Sequence, residues 1–329
     1  MPRSLASYSR EDWLRLRPLT QSYKEAVYRF EDRLFSARPP ASPTAFAAAC
    51  SSLAGRALAI TIAFNSDSAI AWQARFCRRN LRGAALVVVD NSTDEAAAAR
   101  IATVCRDASV AYVRLRHGPT DPRSASRSHG VALNWAYRRL VRRLEPPVFA
   151  FIDHDCFPVQ PVDLAALVAD QPIYGQIQTR ANGWYLWPGF CVFRWSAVAH
   201  RRLDFRQDWF LGLDTGGANW RRLYRELDRD RLRFARAWHV EFRDPASARS
   251  AIFHRVDDWI HIGNMSGWMA PEPGRDELAA TLLARAEADP AGTLATLIPQ
   301  PTAPTGNRVA GDDSRRQRAA GSSAGPRPD

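Results

Sequence analysis

The chain has 329 residues, of which 46% are apolar, enough for one large α/β domain with appendages or for two domains. Its formal charge is +11, carried almost wholly by arginine, because Lys24 is the one lysine. No stretch approaches the length of a membrane span, and five cysteines, odd in number and without a Cys-x-x-Cys pair, do not read as a disulfide framework.

Reduced thiols and an N-terminus without a long apolar region predict a cytoplasmic protein with no signal peptide. The basic pairs in "RRNLR" (78–82), "RRLVRR" (138–143) and "RRLYRELDRDRLR" (221–233) read first as solvated helix faces. The sharper reading is attraction to an anionic partner: a nucleotide, an acidic glycan, or peripheral contact with an anionic membrane at its inner face. No nucleic-acid recognition motif occurs, so no nucleic acid is expected.

In chain order, residues 1–55 predict a helical extension, with an amphipathic helix over Leu19–Phe35, a proline-rich turn and a short helix at Ala45–Leu53. From Ala57 strand and helix alternate. Strands are expected at 57–63, 85–90 and 110–115, with helices at 69–80, 94–107 and 127–144. A fourth strand, "VFAFID", follows at 148–153. The alternation predicts an α/β fold with a mixed but mostly parallel sheet, flanked by helices. Further strands are expected at 172–180 and 190–198, and a loop that becomes a helix over 209–227. The main domain is placed at 56–298, divided into 56–158 and 159–298. Residues 299–329, rich in Pro, Gly, Ser and Arg, predict a disordered tail.

The fourth strand ends in "DHD". Asp153 and Asp155, two apart on an extended chain, can face one point, and two carboxylates that close repel unless a cation or a proton lies between them. Ligands of parallel sheets bind beyond the carboxyl ends of the strands. The other strands also end in polar groups: Asn65 and Ser66 after the first, Asp90 and Asn91 after the second, and "SRSHG" at the third helix. Ser66 and Asp94 alone would be ordinary N-caps. Four such groups at one edge, one of them a carboxylate pair, point to a nucleotide and metal site.

The series "ITIAFNS … LVVVDNSTDE … SRSHGVALNWAY … FAFIDHD" resembles the N-terminal half of a family 2 glycosyltransferase with the GT-A (Rossmann-like) fold. The match covers Ala57–Asp155 and continues more weakly to about Trp268. Phe64 stands where tyrosine is common, "DNST" lacks the glycine, and Ser128 replaces the usual asparagine. The resemblance implies transfer of a sugar from a nucleotide-sugar donor to a hydroxyl of a glycan, lipid-linked glycan, glycolipid or small molecule, by an inverting route. It implies that Asn65, Asp90 and Asn91 border the base and ribose, that Arg127 and Gly130 lie by the ribose and diphosphate, and that Asp153 leans toward the ribose. Asp155 would hold Mn²⁺ or Mg²⁺, hard cations suited to oxygen ligands. His261 would complete the metal shell, with His239 its rival, and Asp214 in "LDTGGANW" would be the general base. Gly189 would admit a ligand close to the backbone, and Trp184, Tyr185 and Trp187 either stack on sugar or form a packed cluster. Two other readings stay open: a phosphohydrolase of the haloacid-dehalogenase type using the same aspartates, and a non-catalytic nucleotide or glycan binder.

Overall fold

In a computed structural model of the chain, residues 4–116, 125–267 and 272–300 are described. Helices α1 (Arg10–Leu14), α2 (Arg17–Ala37) and α3 (Pro43–Leu53) come first. Then follow β1 (Ala57–Ala63), α4 (Asp67–Asn80), β2 (Ala84–Asp90), α5 (Glu95–Asp107), β3 (Ala111–Arg114), α6 (Ala125–Ala136) and β4 (Val148–Asp153). Ser66 accepts from the Ala69 N–H and Asp94 from the Ala96 N–H, so both are the N-caps their positions suggest. Helix α6 runs on through a π-helical stretch, Tyr137–Val141, to Leu144.

Later elements are β5 (Cys156–Pro158), β6 (Ile173–Arg180), β7 (Gly183–Arg194), β8 (Ala237–Arg243), β9 (Ser250–Val256), β10 (Trp259–His261), α7 (Arg275–Ala288), α8 (Pro290–Thr296) and β11 (Ile298–Pro299). The central sheet has six strands in the order β3-β2-β1-β4-β7-β6. β1 to β4 are parallel, while β7 runs antiparallel to β4 and to β6. The expected mixed, mostly parallel sheet flanked by helices is therefore present.

Side-chain alternation on β1 explains its two faces. Leu58, Ile60 and Ile62 enter the core shared with Val131, Trp135 and Phe149, while Ala57 and Ala59 face the cluster that holds Cys77. Branched side chains fill the wider layer, and alanines leave room for a close helix. All five cysteines are buried and free, and burial pushes the Cys77 and Cys105 thiols up to about 12, so neither is a nucleophile at neutral pH.

A second, five-stranded antiparallel sheet, β11-β8-β9-β10-β5, is a feature the sequence pattern did not predict. Phe157, Val240, Phe253 and Ile260 from it pack with Leu282 and Leu283 of α7. Its β5 continues directly from β4, so one chain exit joins the two sheets.

Three expectations need correction. The strand expected at 190–198 begins at Gly183, and Trp195–Val198 is a helical turn instead. The helix expected within 209–227 is replaced by short 3₁₀ turns at Gly217–Asn219 and Tyr224–Glu226, since the "TGG" glycines favour a tight turn. Pro299 is not tail: it pairs opposite Val240, and the Gln300 N–H donates to the His239 carbonyl. The tail expected beyond it, from 301 on, lies outside the described residues, as does 117–124 of the loop before α6.

Candidate active site

Register brings the strand ends together. Ala63 at the end of β1 lies level with Asp90, and Ile62 level with Asp153. Asp153 therefore leaves the sheet at the edge where the β1 and β2 loops also emerge. The next residues carry the chain into β5, which pairs antiparallel with β10 so that Cys156 faces His261. The Ile262 N–H donates to the Asp155 carbonyl at 3.0 Å, extending that pairing. Two pieces of chain more than a hundred residues apart are thus clamped by a short ladder, and His261 is delivered beside the aspartates.

Asp153, Asp155 and His261 each offer a ligand atom, and these atoms all lie within 4.8 Å of one another. His261 Nε2 is 3.2 Å from Asp155 Oδ1 and 3.9 Å from Asp153 Oδ2. Asp155 is buried and also accepts from the Met265 N–H at 3.3 Å. Burial is the largest influence and opposes its charge, yet His261, His154 and the Met265 N–H together hold the carboxyl well below the usual carboxylate range. Burial likewise opposes protonation of His261, and Asp155 overcomes it, so the imidazole sits above its ordinary value. Two carboxylate oxygens and one imidazole nitrogen form a donor set that suits Mn²⁺, and a bound divalent cation would relieve the buried charges.

His154 points away from the pair. Its Nδ1 lies 3.0 Å from the Ile62 carbonyl, held there by the turn that His154 and Asp155 make between the two strands. His239 also stays apart: it is exposed on β8 and stacks near His254 at 5.4 Å between ring centroids.

His129 is a site residue that sequence reasoning missed. Its Nε2 lies 3.6 Å from Asp153 Oδ1. Burial pushes its imidazole below the ordinary value, against the pull of Asp153, Asp155 and Asp214. The signal was present in "SRSHG", where a histidine occurs two residues after Arg127 at the start of a helix aimed at the sheet edge.

Asp214 lies in the same neighbourhood, since it bears on both His129 and Tyr185. Its Oδ1 accepts from Gln207 Nε2 at 2.9 Å and from the Thr215 N–H at 2.8 Å. It does not cap a helix, because the following 3₁₀ turn is preceded by Gly216, which has no side chain. Gly216 has φ +89°, and a Cβ there would stand 3.0 Å from the Leu186 carbonyl oxygen, so glycine fixes the turn that presents Asp214.

Asn65 and Asn91 sit at the edge as scaffolding with polar tips. Asn65, at φ 51°, ties the two loops: its Oδ1 accepts from the Thr93 and Asp94 N–H groups, and its Nδ2 donates to Thr93 Oγ1. Asn91 Nδ2 donates to Ser128 Oγ at 2.9 Å, joining the β2 end to α6.

Three expected ligand contacts fall elsewhere. Asp90 is fully buried, with its carboxylate taken by the Tyr112 hydroxyl at 2.7 Å and the Ser92 N–H at 2.8 Å, so it shapes a turn. Gly130 faces protein: a Cβ there would stand 3.0 Å from the Phe205 carbonyl oxygen, so it serves close packing of α6. Arg127 turns to α2, bonding Glu31 at 2.7 Å and Asp32 at 2.8 Å and lying over the Tyr28 ring. Residue type alone misled here, because an arginine made for phosphate is also made for two carboxylates.

Arg127→Ala is accordingly expected to cost about 3 kcal/mol of stability, since it strips a partner from the buried Asp32. Denaturant unfolding would show that loss, while affinity for a nucleotide sugar, measured by calorimetry, should change by less than about twofold. Intact stability with weakened binding would return Arg127 to the site.

The aromatic stretch divides. Trp184 and Tyr185 are buried, Trp184 against Tyr224 at 5.1 Å, so the packed reading holds for both. Trp187 is half-buried, with its ring 4.8 Å from that of His261. A Cβ on Gly189 would come within 2.0 Å of the Trp187 ring. That glycine makes room for the indole, and not for a ligand as expected.

No family model matches the chain, and no curated protein matches it. Among solved structures, TarS of S. aureus aligns with TM-score 0.32 and 14% identity over 46% of this chain and 30% of its own. A mannosyltransferase of Pyrobaculum calidifontis, PcManGT, solved with GDP-Man and Mn²⁺, aligns with TM-score 0.30 and 17% identity over 54% of each chain. A TarS fragment, residues 1–349, aligns with TM-score 0.28 and 14% identity over 46% of this chain and 50% of its own. The chain spans about half or less of the length of these structures, and likenesses this weak do not bear on its activity.

Proposed function

We propose that this chain is a divalent-cation-dependent glycosyltransferase with a GT-A-like fold, moving a sugar from a nucleotide-sugar donor to an acceptor hydroxyl. The observation that carries the reading is the meeting of Asp153, Asp155 and His261 at the carboxyl edge of a parallel sheet. The motif series of the sequence supports it, because "FNS", "DNSTD" and "DHD" end adjacent parallel strands in register.

Asp155 and His261 would hold the cation, with Asp153 between it and the ribose. When bound, the cation supplies charge neutralisation for a departing nucleoside diphosphate. Asn65 and Asn91 would border the nucleotide, and Trp187 would wall the sugar side. Asp214 would take the acceptor's proton as its oxygen bonds to the anomeric carbon. The bond from that carbon to the diphosphate oxygen breaks with its electron pair leaving on the diphosphate. Attack opposite to departure inverts the anomeric centre.

A haloacid-dehalogenase-type phosphohydrolase fits less well, since three strand–helix units precede the aspartates and β7 runs antiparallel beside them. Thermal shift across a panel of nucleotide sugars, with and without Mn²⁺, tests the reading, because a ligand of the folded state raises Tm. A Mn²⁺-dependent rise with one nucleotide sugar is expected. Turnover of a generic phosphomonoester without any such rise would replace it with the phosphohydrolase.

A further inference from the structure

Helix α2 is amphipathic in the reverse of the usual sense. Its buried face is acidic and polar: Glu25 and Asp32 are each 5% exposed, as is Asp12 of α1. Arg17 meets Asp12, Arg29 meets Glu25, and Arg127 and Arg206 meet Asp32. Ion pairs occupy most of the inward side, Phe35 near the C-terminal end enters the core, and the other large apolar side chains are left outside.

Of the nine exposed large apolar residues among those described, seven lie between Trp13 and Leu34. On α2 these are Leu19, Tyr23, Phe30 and Leu34, with Leu16 just before its first turn, between 52% and 74% exposed. The spacing of four, seven and four from Leu19 to Leu34 keeps those on one stripe of a helix with about 3.6 residues per turn. The same rotation sets Lys24 on one border of the stripe and Arg33 on the other, beside Arg17 and Arg29, whose charges are shared with Asp12 and Glu25. All four are exposed.

We propose that this outward face of α1 and α2 docks in the plane of an anionic lipid surface. The apolar stripe enters the headgroup boundary, Lys24 and Arg33 on its two borders reach the lipid phosphates, and Tyr23 sits at the interface with its hydroxyl wet. Charge decides against a second copy of the chain as the occupant. Two such stripes face to face would bring the Lys24 and Arg33 borders of both copies together, whereas helix pairs need opposite charges on their borders. The exposed acids of this region, Glu11 and Glu31, are held by Arg15 and Arg127. The inference stands on this surface alone and is independent of the reaction proposed above.

Flotation of the full chain with vesicles tests it, using phosphatidylcholine alone and phosphatidylcholine mixed with phosphatidylglycerol. Binding is expected to the mixed vesicles and to fall as salt is raised. Leu19→Ser with Phe30→Ser, and separately Lys24→Gln with Arg33→Gln, should each weaken it by about tenfold or more, with Tm unchanged because all four side chains are exposed. A chain that ignores anionic vesicles at low salt overturns the proposal. So does binding unaltered in either pair of variants, which would mean adsorption through other arginines. Light scattering that shows a dimer, split into monomers by the apolar pair, would assign the stripe to self-association instead.

Discussion

Asp155→Ala is expected to abolish Mn²⁺-dependent binding of the nucleotide sugar, a loss of at least about a hundredfold in affinity read by calorimetry. Asp155 supplies a carboxylate oxygen to the candidate cation site and its charge sets the state of His261. Its removal leaves His261 and Asp153 too few to hold a hard cation. Because Asp155 is buried, and not at a solvated strand exit, the change also touches stability. The Met265 N–H loses its acceptor, at a cost of about 1–3 kcal/mol.

The metal-free protein should show the pair in its pH dependence. The folded state depresses the Asp155 carboxyl, so its contribution is present above the unfolded value of about 3.9 and is lost as pH falls. It raises His261, so that contribution is complete below about 6.5 and is lost as pH rises. The pair therefore stabilises most between about pH 4 and 6.5, and this window should vanish in the alanine variant. His261→Ala should weaken Mn²⁺ dependence as well, and His239→Ala should leave it unchanged. Donor affinity that survives Asp155→Ala in the presence of Mn²⁺ would remove the metal assignment.

The parallel half of the sheet was legible because its strands are short apolar runs between helical periods, the pattern of strands buried on both faces. "ALAITIA", "ALVVVD" and "VFAFID" could hardly be anything else. The candidate cation site was legible for a narrower reason: Asp153 and Asp155 are two apart at a strand exit, although a turn and not strand alternation brings them together. The second sheet was not legible. Its β5 and β10 have three residues each, too few for a pattern, and only their pairing places His261. Arg127 and Asp90 have protein partners that the sequence did not show, for a common reason. Their side chains can serve a ligand or the fold equally well, and what decides is the partner, Asp32 or Tyr112, which lies far away or carries no motif.

Asp214→Asn is expected to lower sugar transfer by about a hundredfold or more while donor binding persists. An acceptor hydroxyl is a poor nucleophile at neutral pH, and a carboxylate within hydrogen-bond reach can take its proton as the new bond forms. The surroundings of Asp214 suit that role. Gln207 and the Thr215 N–H fix one oxygen, so the side chain is oriented by two bonds. Its turn is pinned by Gly216 beside the Leu186 carbonyl. Capping was the competing explanation, and the absence of a helix there removes it. Asparagine keeps a carbonyl oxygen for both donors, so stability should fall by less than about 1 kcal/mol. A lost base and a lost structural contact are therefore separable in one variant, by unfolding on one side and turnover on the other. Proton NMR of the product adds a stereochemical readout, with inversion of the anomeric centre expected. Near-normal turnover by the asparagine variant, or a product that keeps the donor's configuration, would take Asp214 out of the chemistry and leave it as a residue that orders the loop beside His129.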